Sequence, residues 1–213
     1  MHIQFNNVVP HPLADLINDS NKFWGNTFAF KSSDKVILNA VSGKGKSTFI
    51  SILSGLRKDF KGDILFDGKS IKQFSQDEWI IFRQSKISTI YQGLKLFENL
   101  TVEENIILKN NLTQHLSLNK IKQLIKKAGL EYIRNKKIEN LSFGQQQRVA
   151  ILRAFAQPFE LLLMDEPFSH LDIENQKIMI ELIEQEVEAN QAGFVLTSLN
   201  NTHQINYNKE LCL

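Results

Sequence analysis

The chain has 213 residues, a length typical of one domain, and its 42% hydrophobic and 23% charged residues exclude wholesale disorder. Its 25 lysines and arginines against 23 acidic residues leave a net charge of +2, which argues against a strongly basic nucleic-acid-binding protein. The single cysteine, Cys212, excludes an internal disulfide and a cysteine-rich zinc module.

The sequence does not predict a membrane-spanning segment. Apolar runs such as Leu161–Met164 are far shorter than the ~20 residues that cross a bilayer. The first residues, Met1–Asn6, lack a basic region followed by an apolar stretch, so we expect no secretory signal. We therefore expect a chain that neither crosses nor leaves a membrane by itself.

The first predicted elements in chain order surround a turn of small residues. Lys35–Leu38 is predicted as a short apolar strand, 41–46 as the turn, and Ser47–Leu53 as a helix from its apolar spacing. Asp63–Ile71 alternates around Asp67-Gly68, which is a strong hairpin signal.

The middle of the chain, from about 75 to 156, has a mostly helical pattern. One helix face, closed by Gly129, is formed by Ile121, Leu124, Ile125 and Ala128. A further helix is predicted from about Gly144 to Ala156, because it must end before Pro158.

The last third of the chain predicts strand, helix and strand. Leu161–Met164 is short, apolar and uninterrupted, as in a strand buried on both faces, and a helix is predicted from Ile173 to about Ala189. A last core strand is predicted near Gly193–Thr197. Alternating strands and helices predict an α/β fold with a mainly parallel sheet, into which the helical middle is inserted.

The segment Ala40–Thr48 is close to the pattern G-x-x-x-x-G-K-[ST]. A turn of small residues points backbone N–H groups at phosphate oxygens, and the following helix offers its positive end. Lys46 is placed to reach the β- and γ-phosphates, and the Ser47 hydroxyl to hold Mg²⁺. Ala40 replaces the first glycine, and a chance glycine-lysine turn is the alternative interpretation.

Two carboxylates, Asp165 and Glu166, directly follow the predicted strand 161–164. Ligands of open α/β sheets bind at the carboxyl ends of strands, so Asp165 is placed to hold Mg²⁺ and Glu166 to polarise an attacking water. The alternative is an ordinary strand that ends in acidic turn residues.

Leu141–Gln145, with the sequence Leu-Ser-Phe-Gly-Gln, places a serine and a glycine at the start of a helix. Such a start exposes backbone N–H groups and a hydroxyl to an anion, although alone it is only a helix cap. The continuation Gln146–Ala154 makes the segment distinctive, and with it the chain resembles the ATP-binding subunit of an ABC transporter.

The family's motifs occur in order along most of the chain. Ala40–Thr48 is similar to the Walker A loop, Gln92 to the Q-loop glutamine, and Leu141–Gln145 to the LSGGQ signature. Asp165-Glu166 resembles Walker B with the catalytic glutamate, and Ser169–Asp172 the D-loop. The resemblance implies a P-loop NTPase fold with an antiparallel β subdomain and an inserted α-helical signature subdomain. We expect one cassette over 1–213, with a core of 1–74 and 157–213 and a helical subdomain of about 75–156.

The resemblance further implies a head-to-tail dimer that holds two ATP molecules between subunits, with Mg²⁺ as the metal. The implied catalytic residues are Glu166, Gln92, Lys46 and Ser198. The implied ATP contacts, from both subunits, are Ser42, Gly43, Lys44, Gly45, Lys46, Ser47, Thr48, Ser142, Gly144, Gln145 and Asp172. The implied metal ligands are Ser47, Gln92 and Asp165. Gln92 would also relay the nucleotide state to a membrane partner, and Asp172 would couple the two sites.

The chain departs from the family pattern at several positions. Phe143 replaces a signature glycine, and Ser198 stands where the family usually has a histidine that contacts the γ-phosphate. Serine cannot carry imidazolium charge, which predicts slower hydrolysis or greater dependence on Glu166; an ordered water beside the serine is the alternative. Nothing aligns His203 with that histidine.

The aromatic residue that usually stacks on adenine has no clear counterpart. His11 is the nearest ring, but Pro10 and Pro12 beside it more simply indicate a loop. Phe23 and Trp24 are predicted as core residues on a strand.

The stretch Gln92–Asn105 resembles subunits that drive lipoprotein release, macrolide-type export and a division-associated complex, and importers share parts of it. This implies a cytoplasmic ATPase, peripheral to the membrane, that moves a separate permease-like membrane subunit as a homodimer or heterodimer, without nucleic acid. A nucleotide-gated binding module with weak hydrolysis and a soluble phosphotransferase are the alternatives. The cargo is not readable from the sequence.

Overall fold

The computed structural model describes residues 1–16, 23–39, 43–198 and 205–212. The strands in this part are β1 His2–Pro10, β2 Phe28–Lys31, β3 Lys35–Asn39, β4 Phe60–Phe66, β5 Lys69–Ser70, β6 Ile87–Ile90, β7 Leu161–Asp165, β8 Gly193–Ser198 and β9 Lys209–Cys212. The helices are α1 Lys46–Leu53, α2 Gln76–Ser85, α3 Val102–Asn110, α4 Leu118–Lys127, α5 Phe143–Phe155 and α6 Ile173–Ala189. Within these ranges, no helix is both long and apolar enough to cross a bilayer.

A five-stranded sheet in the order β6-β7-β8-β3-β9 forms the centre of the fold, and its described strand pairs are all parallel. Every residue of β7 and β8 is buried, as expected for strands covered on both faces. Successive residues of β7 enter two different cores: Leu161 and Leu163 pack with α1, whereas Leu162 and Met164 pack with α5 and α6. The predicted α/β fold with a mainly parallel sheet is confirmed.

A second, antiparallel sheet in the order β2-β1-β4-β5 lies beside α1. The β4–β5 hairpin turns at Asp67 and Gly68, whose φ angles of 48° and 84° are those of the predicted two-residue turn. Stacked rings join this sheet to α1, with Phe5 and Phe49 centroids 5.1 Å apart. The antiparallel β subdomain is therefore present.

Phe23 and Trp24 are core residues, but their predicted strand is wrong. Both side chains are buried, and Phe23 packs on Phe28 and Phe49. They lie in a turn in which the Asn26 N–H donates to the Phe23 carbonyl oxygen over 3.3 Å and Gly25 has a φ of 83°. The Trp24 indole N–H donates to the Lys44 carbonyl oxygen of the glycine loop, 3.3 Å away. Aromatic content predicted burial correctly and local conformation incorrectly.

The predicted helices of the middle region are confirmed. The apolar face of α4 is buried, and the chain leaves the helix through Gly129, whose φ of 67° suits glycine. α5 ends at Phe155, before Pro158.

Two strands of the parallel sheet differ from the sequence-based expectation. β6, at 87–90, lies inside the 75–156 range predicted as helical; it pairs with β7, and its four residues are too few for a periodic signal. The predicted last strand, β8, is followed by β9, an edge strand on β3 with exposed Lys209 and Glu210. Charged edge strands lack the apolar run by which buried strands are recognised.

Candidate functional site

The glycine loop leads into α1 through two positions whose backbone conformation suits glycine and few other residues. Gly43 and Gly45 have φ angles of 80° and 102°, in the left-handed region. A Cβ on Gly45 would lie 2.5 Å from the Leu13 Cδ1 and 3.2 Å from the Trp24 Nε1. Since Gly45 is also the N-cap residue, the cap position itself supplies no side chain to the first N–H groups of α1. The predicted contact Ser42, with Ala40 before it, lies outside the described residues.

The side chains of Lys46 and Gln92 both contact the carboxylate of a third predicted catalytic residue, Glu166. The Lys46 ammonium group lies 3.3 Å from the Glu166 Oε1, with only 6% and 14% of the two side chains exposed. The Gln92 amide donates to the Glu166 Oε2 over 3.4 Å. They lie near the carboxyl ends of β3, β7 and β6, where an α/β sheet binds ligands.

These side chains line an open cavity of about 220 Å³. Its lining residues are Leu13, Gly43, Gly45, Lys46, Ser47, Thr48, Gln92 and Glu166. Two of the other predicted residues lie differently: Lys44 accepts the Trp24 hydrogen bond through its backbone, and Ser198 is buried at the end of β8, in register with Asn39. The cavity thus combines backbone N–H groups, one ammonium group and one carboxylate.

A threonine that the sequence did not single out holds both acidic residues. The Thr197 hydroxyl donates to the Asp165 Oδ1 over 2.7 Å and accepts from the Glu166 backbone N–H over 3.1 Å. Glu166 itself has a φ of 50°, unusual for a residue other than glycine, so its backbone conformation depends on such contacts. The position of Thr197 near the end of β8, the predicted strand that neighbours β7, is the sequence feature that could have identified this residue.

Oxygen groups suited to Mg²⁺ lie around the same cavity. Ser47 offers a hydroxyl, Gln92 an amide oxygen, and Asp165 a buried carboxylate just behind Glu166. Hydroxyl, amide and carboxylate oxygens are the donors that this hard cation prefers. The donor chemistry of these residues therefore fits a magnesium ion.

The signature segment forms a second surface. The Ser142 hydroxyl accepts from the Gln145 N–H, and the Gln145 side chain accepts from the Ser142 N–H, a reciprocal cap of α5. At Gly144 a Cβ would lie 2.7 Å from the His170 carbonyl oxygen, so only glycine allows this approach. The Phe143 ring, half exposed, packs against His170 with centroids 4.4 Å apart.

Asp172 caps α6 beside this surface. Its carboxylate accepts from the Asn175 backbone and side-chain N–H groups, and these bonds hold the Asp172 pKa below its ordinary value. Gln147, which the sequence analysis missed, donates to the Glu166 carbonyl oxygen and accepts from the His170 N–H, and so joins α5 to both segments. Ser142, Gly144, Gln145 and Asp172 line a cavity of about 370 Å³.

Within one chain the predicted residues thus form two separate groups. The glycine-loop cavity contains Lys46, Gln92 and Glu166, and the signature cavity contains Ser142, Gly144 and Asp172. The two cavities share no lining residue among those described.

Comparison with known proteins identifies the fold and the family. The family model described as ABC transporter matches residues 25–169. The lipoprotein-releasing system ATP-binding protein LolD of Buchnera aphidicola subsp. Schizaphis graminum is 38% identical over 156 residues, 72% of this chain and 68% of that protein. The putative hemin import ATP-binding protein HrtA of Staphylococcus epidermidis is 34% identical over 174 residues, 80% of this chain and 78% of that protein.

Solved structures agree. The dimeric structure of MJ0796, a bacterial ABC transporter cassette, superposes with a TM-score of 0.80 at 27% identity and covers 98% of this chain and 96% of that one. A dimeric post-hydrolysis state of MJ0796 bound to ADP and Pi superposes with a TM-score of 0.78 at 26% identity, over 93% and 88% of the two chains. This chain therefore belongs to the ABC transporter family, as an ATP-binding subunit with the cassette fold.

Proposed function

We propose that the chain hydrolyses ATP at the glycine-loop cavity. The observation that carries this proposal is the meeting of Lys46 and Gln92 at the Glu166 carboxylate. In this assignment the Lys46 ammonium group and the N–H groups of the loop bind the β- and γ-phosphates. Glu166 accepts a proton from the attacking water, and Gln92 orients that water.

Mg²⁺ would be held by Ser47, Gln92 and Asp165, and it would neutralise charge that develops on the phosphate oxygens. Thr197 holds the two acidic residues in different ways, because its hydroxyl donates to the Asp165 side chain but accepts from the Glu166 backbone. The Glu166 side chain is thereby left to face the cavity and Lys46.

Each chain supplies two different halves of a nucleotide site in this proposal. Ser142, Gly144 and Gln145 would contact the ATP held by the glycine loop of a second cassette, and Asp172 would couple the two sites. The separation of the two cavities within one chain supports the head-to-tail arrangement, and the dimeric state of MJ0796 supports a pair. The second cassette is a copy of this chain or a sister cassette.

Ser198 is the position where the proposal departs from the family. Its hydroxyl is buried at the end of β8, directly after Thr197. Since a hydroxyl carries no positive charge at the γ-phosphate, we propose hydrolysis slower than is usual for the family. Ser198→His should raise turnover, and an unchanged rate would count against this part of the proposal.

The partner we propose is a separate permease-like membrane subunit, which the ATPase drives from the cytoplasmic face of the membrane without nucleic acid. LolD and HrtA are by their names ATP-binding proteins of lipoprotein release and of putative hemin import, which supports a transport role without selecting a cargo.

Phosphate release from the purified chain tests hydrolysis. We expect ATP- and Mg²⁺-dependent release in the wild type, and at least a 100-fold lower rate in Glu166→Gln with ATP-dependent dimerisation retained. ATP-dependent dimerisation with no phosphate release in the wild type would instead support the nucleotide-gated binding module that Ser198 and Ala40 suggest.

A further inference from the structure

The glycine-loop cavity offers little positive charge to a triphosphate. Lys46 is the one cation among its described lining residues, and the ammonium group lies 3.3 Å from the Glu166 carboxylate. Asp165, which precedes Glu166, adds a second, buried carboxylate. Ser198, where the family usually has a histidine, is 4% exposed and carries no charge. Apart from Mg²⁺, any further charged donor to the γ-phosphate therefore has to come from the second cassette.

The signature cavity contains a side chain suited to this task. Two of its described lining residues, Arg148 and His170, can carry positive charge. Arg148 is 8% exposed and donates to the Ala128 carbonyl oxygen over 2.8 Å, so its guanidinium group is held inside the helical region. The Asp172 carboxylate, which also lines the cavity, accepts from Asn175. His170 is exposed, and its ring nitrogens have no hydrogen bond to another described residue, so the imidazole is the cation that can reach a ligand.

Contacts within the chain hold His170 beside the signature residues. Its backbone N–H donates to the Gln147 side chain over 3.1 Å, which ties it to α5. Its carbonyl oxygen lies 2.7 Å from the position of a Cβ on Gly144. The Phe143 ring meets the imidazole edge to face, with centroids 4.4 Å apart and 67° between the two planes. Phe143, the residue that replaces a signature glycine, thus restricts the orientation of the imidazole.

We propose that His170 is a catalytic residue that acts in trans: its imidazole donates a hydrogen bond to the γ-phosphate of the ATP held by the glycine loop of the second cassette. This inference rests on the proposed head-to-tail pair, in which Ser142 and Gly144 contact that ATP. His170 lines one cavity with both of them, so a phosphate seated against the Ser142 hydroxyl and the N–H groups of α5 lies within reach of the ring. The charged donor that Ser198 does not supply to its own site is supplied by the other chain.

The hydrolytic step balances with His170 as a hydrogen-bond donor only. The water oxygen bonds to the γ-phosphorus, and the bond from this phosphorus to the oxygen that bridges it to the β-phosphate breaks. Glu166 of the chain that holds the ATP accepts the water proton, and the products are ADP and inorganic phosphate. The imidazole N–H stabilises the charge on the γ-phosphate oxygens and keeps its proton.

Phosphate release by the purified chain tests the role of the imidazole. His170→Ala should lower the rate at least about 10-fold, since the loss of one preorganised donor to a developing oxyanion costs this much or more. His2→Ala removes an exposed histidine that lines neither cavity, and as the matched control it should keep the wild-type rate. Ser198→His should raise the rate by a larger factor in His170→Ala than in the wild type, because both donors serve one phosphate. An unchanged rate in His170→Ala would overturn the proposal.

Mixed pairs, purified through two different affinity tags, show in which chain His170 acts. The first pair joins a Glu166→Gln chain to a His170→Ala chain. Action in trans leaves this pair one complete site, formed by the glycine loop of the second chain and the His170 of the first. The second pair joins a wild-type chain to a chain with both substitutions, and action in trans leaves it no complete site.

Single-turnover phosphate release distinguishes the two pairs. The first pair should match a pair of wild-type and Glu166→Gln chains, and the second should be at least about 10-fold slower. The reverse result would assign His170 to the site of its own chain, and equal rates in the two pairs would show that it serves neither site. Either result would overturn action in trans.

Dimerisation separates failure of this inference from failure of the proposed function. In the Glu166→Gln background, which should bind ATP without hydrolysing it, His170→Ala should raise the ATP concentration for half-maximal dimerisation at least about 5-fold, and His2→Ala should not change it. A wild-type chain that releases no phosphate, together with this shift, would count against hydrolysis and support the contact. Wild-type phosphate release with no effect of His170→Ala on rate or dimerisation would count against His170 alone.

Discussion

Two lysines of this protein lie in opposite electrostatic surroundings. Lys46, in the glycine-loop cavity, is buried with the Glu166 carboxylate 3.3 Å away. Lys109 is partly buried in a cleft between α2, β6, α3 and α5 that Arg83 and Arg153 also line, with no carboxylate partner in the described part of the chain. The difference shows that burial of a cation has two functional meanings. One cation is paired with a carboxylate of the same chain, whereas the other faces like charges and has no carboxylate partner among the described residues.

The largest expected effect is a difference in the rate of phosphate release between variants of the two lysines. Lys46→Met removes the positive charge at the predicted phosphate position, so we expect the rate of phosphate release by the purified chain to fall by about 10² to 10³. Lys109→Met should leave that rate within about twofold, since Lys109 does not line the cavity. Equal losses in both variants would contradict the division between the two sites.

Thr197 should stabilise the orientation of Glu166 in its ion pair with Lys46. Thr197→Val keeps the shape of the side chain but leaves the Asp165 Oδ1 and the Glu166 N–H without their bonds, which should cost about 1–3 kcal/mol of unfolding free energy. We also expect about a tenfold lower rate of phosphate release, because Glu166 loses its fixed orientation. Urea denaturation and a phosphate assay measure both. Thr197→Ser retains the hydroxyl and should keep the wild-type rate of phosphate release, although the loss of its buried methyl group should cost about 1 kcal/mol of unfolding free energy.

Removal of the uncompensated charge should stabilise the isolated chain. In Lys109→Met a flexible apolar side chain of similar length replaces the desolvated ammonium group, so we expect a gain of about 0.5–1 kcal/mol in the free energy of unfolding. Denaturation at neutral pH measures it. A loss of stability would show that the cleft compensates this charge by itself.

The smallest effect is a difference in pH dependence. The Lys109 pKa is lower in the folded chain than its ordinary value of 10.5, so between these two values the unfolded chain binds more protons and stability rises with pH. Lys109→Met has no such titrating group. Its gain in unfolding free energy over the wild type should therefore be largest below the folded-state pKa and should shrink as pH rises towards 10.5. Parallel curves for the two proteins would contradict the lowered pKa.

The sequence predicted best those features that lie within a few consecutive residues. The buried strand at 161–164, the glycine turn before Lys46 and the cap at Ser142 each depend on neighbours in the chain, and their order identified the family. Thr197 and Gln147 were missed because their importance comes from contacts 32 and 23 residues away along the chain.

Other differences have the same origin in tertiary structure. β6 and β9 form because neighbouring strands supply hydrogen-bonding partners, which no local pattern records. Phe23 and Trp24 were recognised as buried, but the turn that contains them, with Gly25 at a φ of 83°, was not. The cleft around Lys109 could not be predicted, because its cations come from three helices and a loop that are distant in sequence.

Residues of β7 pack alternately into two cores, so the side of the sheet that Asp165 faces depends on whether an odd or an even number of residues precedes it in the strand. Leu161 and Leu163 point to the α1 side of the sheet, and a strand that repeats every two residues directs Asp165 to that side as well. Insertion or deletion of one residue in β7 would exchange the leucines between the cores and turn Asp165 away from the glycine loop. A change of two residues would shift the strand lengthwise but preserve that facing. Evolution can therefore exchange one buried apolar residue of this strand for another, but can change the number of residues only in even steps.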